Sequence, residues 1–211
     1  MAVKRSSAKI PSRKQREFES RRKEILAAGL KLFSEKGYHQ TSINEIAKAA
    51  EFSIGSLYGF FKNKEDLFYT LFMEEIEEIE RQVRPEIERA GSAKGKLNAL
   101  TMSLFSYFES RWEAFHIFAL GHGEFESSLH ANLGEMIRTR QIQFLELMTQ
   151  IVAQGISEGE FRRLRPENMA LAFMGLINGS IIMWIESGRN YSLRERASEI
   201  LDIFYKGAEK S

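Results

Sequence analysis

"TSINEIAKAAEFSIGSLYGFFKNKEDL", residues 41–67, decides how this chain reads. Ser42 is followed three positions later by Glu45, the spacing at which side chains and backbone N–H groups satisfy each other at a helix start. Ile43, Ile46, Ala47 and Ala50 give that helix an apolar face. The turn "EFS" follows, and Ser53 is placed to cap a third helix running through Phe61. Two short helices joined by about three residues are the helix-turn-helix pattern.

The third helix is unusual in what it carries. Gly55, Ser56 and Gly59 are poor helix formers that add little packing. Leu57 and Phe61 face the core, which leaves Ser53, Ile54, Gly55, Ser56, Tyr58 and Gly59 outward. Small residues let a helix backbone approach base edges in a major groove about 12 Å wide. The Ser53 and Ser56 hydroxyls suit base edges or phosphates, Ile54 a thymine methyl, and Tyr58 a phosphate. Lys62 and Lys64 follow, with Lys64 opening a helix whose N-terminus already favours an anion. Thr41 and Ser42 stand in the same relation to the second helix.

Working outward, residues 1–20 read as a basic arm without apolar period. A first helix begins near Phe18–Arg22, with Ile25, Ala28, Gly29, Leu32 and Phe33 on one face, and Gly37 stops it. Asn63 caps a fourth helix that runs to about Val83, and Pro85 predicts a kink or an end. Further helices are expected near 93–110, 111–121, 127–157, 167–187 and 192–208. The expected organisation is all-α. A basic arm (1–20) precedes a three-helix helix-turn-helix DNA-binding domain (21–66), and a helical bundle (67–211) serves ligand binding and dimerisation.

Charge follows the same division. Residues 1–64 carry 14 Lys/Arg against 6 Asp/Glu, a net +8, and residues 65–211 carry 16 against 23, a net −7. A basic first third on an acidic body points to an anionic partner for that third alone. No cysteine is present, so disulfides and thiolate metal sites are excluded and a reducing cytoplasm is expected. The basic N-terminus lacks the apolar core of a signal peptide. The apolar segment 168–185 approaches bilayer length, but Asn168, Asn178 and Ser180 interrupt it, so no membrane partner is expected.

Residues 25–68 resemble the DNA-binding domain of the TetR family of bacterial transcriptional regulators. The resemblance rests on the "LFxxxGYxxTS" entry, the "IAxAA" second helix and "GSLYxxFxxKEDL". It implies about nine helices, a homodimer, and a C-terminal domain that binds a small effector. Matched position by position, it places DNA contacts on Thr41, Ser42, Ser53, Ile54, Gly55, Ser56, Tyr58 and Lys64. Three positions depart from the family's pattern: Glu51 stands where the turn usually carries Gly, Ile54 replaces a polar or basic residue, and Gly59 replaces a ring or a cation.

Other features read as structural. The run Glu74, Glu75, Glu77, Glu78 and Glu80 is expected to be a solvated helix face. Glu113 and His116 have the spacing of a di-iron ligand pair, but no second such pair exists, so no metal is expected. With no nucleophile elbow and no phosphate-cradling glycine loop, neither an enzyme nor a cofactor is expected. Aromatics concentrate in the bundle. An apolar or aromatic effector is expected near Phe72, Phe105, Phe108, Trp112, Phe115, Phe118, Phe144, Met148 and Met174, with His122 or Glu124 at a polar end. Gly175, Gly179 and Ile182 of one helix, with Leu193, Ala197, Ile200, Leu201 and Phe204 of the last, are expected to form a four-helix dimer interface.

The resulting expectation is a sequence-specific DNA-binding regulator, a repressor released from its operator by that effector. The competing reading is a helical small-molecule enzyme or carrier whose basic N-terminus is incidental.

Overall fold

The computed structural model describes residues 12–114 and 131–208. Phe115, Phe118, His122 and Glu124 of the expected effector site lie outside them, as do residues 1–11 of the expected arm. The described residues are helical, with no strand among them, as the all-α expectation requires. They fall into two compact units, one ending at Phe68 and the other beginning at Tyr69.

In the first unit, helix α1 spans Arg13–Gln40. It starts well before Phe18, so residues 13–20 of the expected arm are helical. The reason is a local cap: Gln15 donates its backbone N–H to Ser12 Oγ at 3.2 Å, and its side chain accepts from the Ser12 N–H at 2.8 Å. Gly37 breaks α1 near its end at φ +77°, a conformation that glycine adopts without strain. Helix α2 spans Ile43–Ala49 and α3 spans Ile54–Tyr58, shorter than the expected run to Phe61. Helix α4, Lys64–Arg89, begins in this unit with Asn63 Oδ1 accepting from the Asp66 N–H at 2.8 Å. Ile25, Phe33, Ile46, Leu57, Phe61 and Phe68 make the core, with Phe33 and Tyr38 both edge-on to Phe68 at 5.3 and 5.2 Å.

The turn between α2 and α3 bears on one departure from the family pattern. Glu51 sits at φ +62°, the left-handed conformation for which glycine is suited. The geometry is kept without the glycine because the Phe52 N–H bonds the Ala47 carbonyl at 2.8 Å, at a strain of about 1–2 kcal/mol.

The expected cap of α2 is present and is reinforced. Ser42 Oγ accepts from the Glu45 N–H at 3.2 Å, Glu45 Oε2 accepts from the Ser42 N–H at 2.8 Å, and Lys36 Nζ reaches Glu45 Oε1 at 2.8 Å. The Lys36 hydrogen bond, followed by those from Ser42, pushes the Glu45 carboxyl down to about 2 from an ordinary 4.5. Because the folded value lies below the unfolded one, this contribution is complete above pH 4.5 and is lost as pH falls toward 2. Lys36→Met should raise the Glu45 midpoint, read by carboxyl NMR, yet leave it below 4.5 because Ser42 still donates. A midpoint that does not move would show that Lys36 is not the cause.

The second unit comprises the rest of α4 with α5 (Ala93–Ser110), α6 (Ala131–Ser157), α7 (Pro166–Glu186) and α8 (Leu193–Ala208). Of the kink or end expected at Pro85, the end does not occur: α4 continues to Arg89. Pro85 is exposed and lies in the last turns, where water can serve the carbonyl that its missing N–H leaves. Helices α5, α6, α7 and α8 pack on a common core that includes Leu97, Phe105, Val152, Phe173, Ile177 and Trp184.

The connector "SEGEF" joins two of these helices. Glu160 accepts the backbone N–H groups of Ala93 and Lys94, both at 3.0 Å, and so caps α5. The Phe161 ring lies so close to Gly155 of α6 that a Cβ there would stand 2.3 Å from it. Helix α7 is the one described helix long and apolar enough to cross a membrane, but Met169, Phe173, Ile177, Ile181 and Trp184 place one side of it in this core.

Candidate nucleic-acid interface

Helix α3 presents the outward face expected of it. Leu57 is buried, and Phe61, just beyond the helix, is buried with it. Ser53, Ile54, Gly55, Ser56, Tyr58 and Gly59 are exposed. Open space surrounds the position a Gly55 Cβ would take, so the glycine leaves the helix surface low for a partner rather than making room for the protein itself. Ser53 Oγ caps the helix through the Ser56 N–H at 3.1 Å and also meets Ser56 Oγ at 2.8 Å. The two hydroxyls are therefore oriented together on the exposed side. Ser42 and Lys62 are also exposed.

Two expected contacts are engaged within the protein instead. Thr41 is 1% exposed, and its Oγ1 donates to the Gly37 carbonyl at 2.8 Å. That hydroxyl closes the broken end of α1 and is not offered to a phosphate. Lys64 Nζ donates to the Tyr38 and Thr41 carbonyls, both at 2.9 Å, and lies 4.1 Å from the centre of the Tyr38 ring. Burial lowers its pKa, opposed by the charge of Glu65. Lys64 thus ties α4 to the end of α1 and its ammonium is spent there, whereas its place at the helix start remains.

In the second unit, Phe105, Phe108 and Met148 are buried in the common core, and Trp112, Phe144 and Met174 pack half-buried against it. Phe72 is buried outside that cluster. The structure thus brings six of the expected effector residues into one apolar body. Sequence reasoning missed the polar group nearby. Glu75, expected on a solvated face, is 4% exposed. Its carboxylate accepts from the Tyr107 hydroxyl and from the Arg111 guanidinium, whose Nε lies at 3.2 Å. The signal was present: Glu75 continues the stripe Phe68, Phe72, Ile79 at i, i+4, i+7 and i+11.

The expected dimer face needs correction. Leu193, Ala197, Leu201 and Phe204 are buried within their own chain, where Phe204 lies edge-on to Phe173 at 5.2 Å. Ile200 is half-buried against the same core. The large apolar side chains left exposed on these two helices are Leu171, Ile182 and Met183 of α7 and Ile203 of α8; Gly175 is exposed and Gly179 half-buried.

Residues 25–70 match the family described as bacterial regulatory proteins, tetR family, and residues 90–208 match a tetracyclin repressor-like C-terminal domain. The chain belongs to the TetR family. As a TetR-family protein it is a DNA-binding transcriptional regulator.

Its relatives extend along nearly the whole chain. It is 25% identical over 185 residues to the fatty acid metabolism regulator protein of Bacillus subtilis, covering 87% of this chain and 93% of that protein. It is 24% identical over 194 residues to the transcriptional repressor KstR2 of Mycolicibacterium smegmatis, covering 91% and 92%. Among solved structures it is similar to the regulator FadR from Bacillus subtilis in complex with stearoyl-CoA, with TM-score 0.75 and 26% identity over 88% of this chain and 98% of that one. The fold is also that of KstR2 of Mycobacterium tuberculosis, with TM-score 0.78 over 98% and 100% of the two chains.

Proposed function

We propose that this TetR-family regulator is a cytoplasmic, homodimeric repressor released from its operator by a long-chain acyl thioester of coenzyme A. The FadR structure carries the reading, because a chain similar along most of its length holds stearoyl-CoA. The apolar body of Phe105, Phe108, Trp112, Phe144, Met148 and Met174 suits an acyl chain, in keeping with the apolar effector expected from composition. The coenzyme end adds a nucleotide, which the scarcity of Asn, Gln and Arg on those helix faces argued against.

In this reading Ser53, Ile54, Gly55, Ser56 and Tyr58 face the major groove, while Ser42 and Lys62 meet flanking phosphates. The exposed apolar side chains of α7 and α8 pair with their twofold copies, which sets two recognition helices at the spacing of two half-sites.

To release DNA, the ligand must prefer the form of the dimer that does not bind it. A coupling of about 1–3 kcal/mol corresponds to roughly 5–150-fold weaker operator affinity when stearoyl-CoA is bound. Reciprocity requires operator DNA to weaken stearoyl-CoA binding by the same factor. Calorimetric titrations of stearoyl-CoA with and without operator measure this directly. Equal affinities in the two titrations would overturn the proposed effector and leave the DNA-binding assignment intact.

A further inference from the structure

The region matched to the family's DNA-binding domain begins at residue 25. Three helical turns of α1, residues 13–24, precede it and are capped as a helix start in their own right. Lys14, Phe18, Arg21, Arg22 and Ile25 recur at i, i+4, i+7, i+8 and i+11, so they share one face. Glu19 lies off that face, with its Oε2 4.0 Å from Arg22 Nη1, whereas Glu17 and Glu24 border it beside Lys14 and Arg21. Glu17 pairs with Arg13 at 2.8 Å, and Glu24 accepts from Ser20 Oγ at 3.3 Å.

Contacts fix where this face points. Ile25 is fully buried in the DNA-binding unit. Phe18, although 45% exposed, stacks on Phe60 with ring centres 4.6 Å apart and planes 27° apart. Phe60 stands two residues beyond α3 and is itself edge-on to Phe52 at 6.2 Å. The Arg22 guanidinium lies 5.9 Å from the Phe61 ring centre. The face bearing Lys14 and Arg21 is therefore turned toward the exit of α3, where exposed Lys62 follows directly.

We propose that these first turns of α1 form a second phosphate-contacting ridge beside the recognition helix. Lys14 and Arg21 supply its cations, and Phe18, seated on Phe60, is the positioning residue that holds them in register. The occupant is the duplex backbone flanking the bases that α3 reads. The acids that border the ridge, Glu17 and Glu24, are engaged by Arg13 and Ser20, and the ridge is continuous with the recognition helix. The inference rests on the assignment of the chain as a DNA-binding regulator.

The test uses the full-length protein, a duplex selected by the wild type from a random-sequence library, and an unrelated duplex of equal length. Each phosphate neutralised contributes about −0.9 to the slope of log affinity against log salt. Lys14→Ala with Arg21→Ala should flatten the slope by up to about 1.8 per protomer, about 3.6 for the proposed dimer, and weaken both duplexes by similar factors. Phe18→Ala removes no charge, yet should flatten the slope in the same direction, and Phe18→Tyr, which keeps the ring, should restore it. A merely structural role would lower the melting temperature without touching the slope. A wild-type slope in Phe18→Ala would overturn the positioning role, and a wild-type slope in the double cation variant would overturn the ridge. A wild type that shows no sequence preference would overturn the regulator assignment and the inference together.

Discussion

Arg111→Met should lower the free energy of unfolding by about 2–4 kcal/mol, the larger part of what breaking a buried ion pair costs. The Glu75 carboxylate lies in the interior, and the substitution leaves it with the Tyr107 hydroxyl alone. The full buried-pair figure is reduced because 45% of the Arg111 side chain meets water, so part of the charge is already solvated in the wild type. Glu75→Gln should cost much less, since the amide still accepts from Tyr107 and Arg111 turns to solvent. Adding Arg111→Met to Glu75→Gln should therefore change little further. Urea unfolding of the four proteins measures the cycle, and additive single effects would show that the two groups do not act as a pair.

Leu171→Glu combined with Ile203→Glu should give folded monomers that bind the operator about 10²–10⁴-fold more weakly. These side chains are 62% and 63% exposed, so a carboxylate at either position stays in water in the monomer and would be buried only in the proposed pairing of α7 and α8 with their copies. The loss of affinity follows because a tethered second half-site is bound at high effective concentration, and a monomer forfeits that gain. Leu201→Glu should behave differently, placing its charge in the core of its own chain and unfolding the bundle. Sedimentation with circular dichroism separates the two outcomes. A stable dimer of the double variant would place the interface elsewhere.

These substitutions also mark where the sequence was readable. The inward residues of α3, its outward small residues and the caps at Ser42, Ser53 and Asn63 could be read because each depends on spacing within one turn or two. What the sequence withheld concerns pairs far apart in the chain. Lys64 is spent on carbonyls 26 and 23 residues away, and Glu75 on an arginine 36 residues away. No local pattern encodes such partners. The last helix shows a second limit: periodicity finds the stripe Leu193, Ala197, Leu201 and Phe204 but does not say whether it meets its own bundle or a copy. The start of α1 was hidden because its first turns, unlike Ile25–Phe33, bury nothing fully.

The connector that carries Glu160 and Phe161 has a mechanical consequence for the bundle. It clips the beginning of α5 to the end of α6, by two hydrogen bonds on one side and a ring pressed against bare backbone on the other. The two helices are thereby riveted at one end like the arms of a clothes-peg. In the proposed function an effector that parts them would do so at the jaws, toward Phe108 and Arg111, since the Phe161 ring against Gly155 leaves no room at the pivot. Residues near the rivet are then free to vary only in ways that keep it closed, whereas those at the jaws are free to be retuned for a different guest.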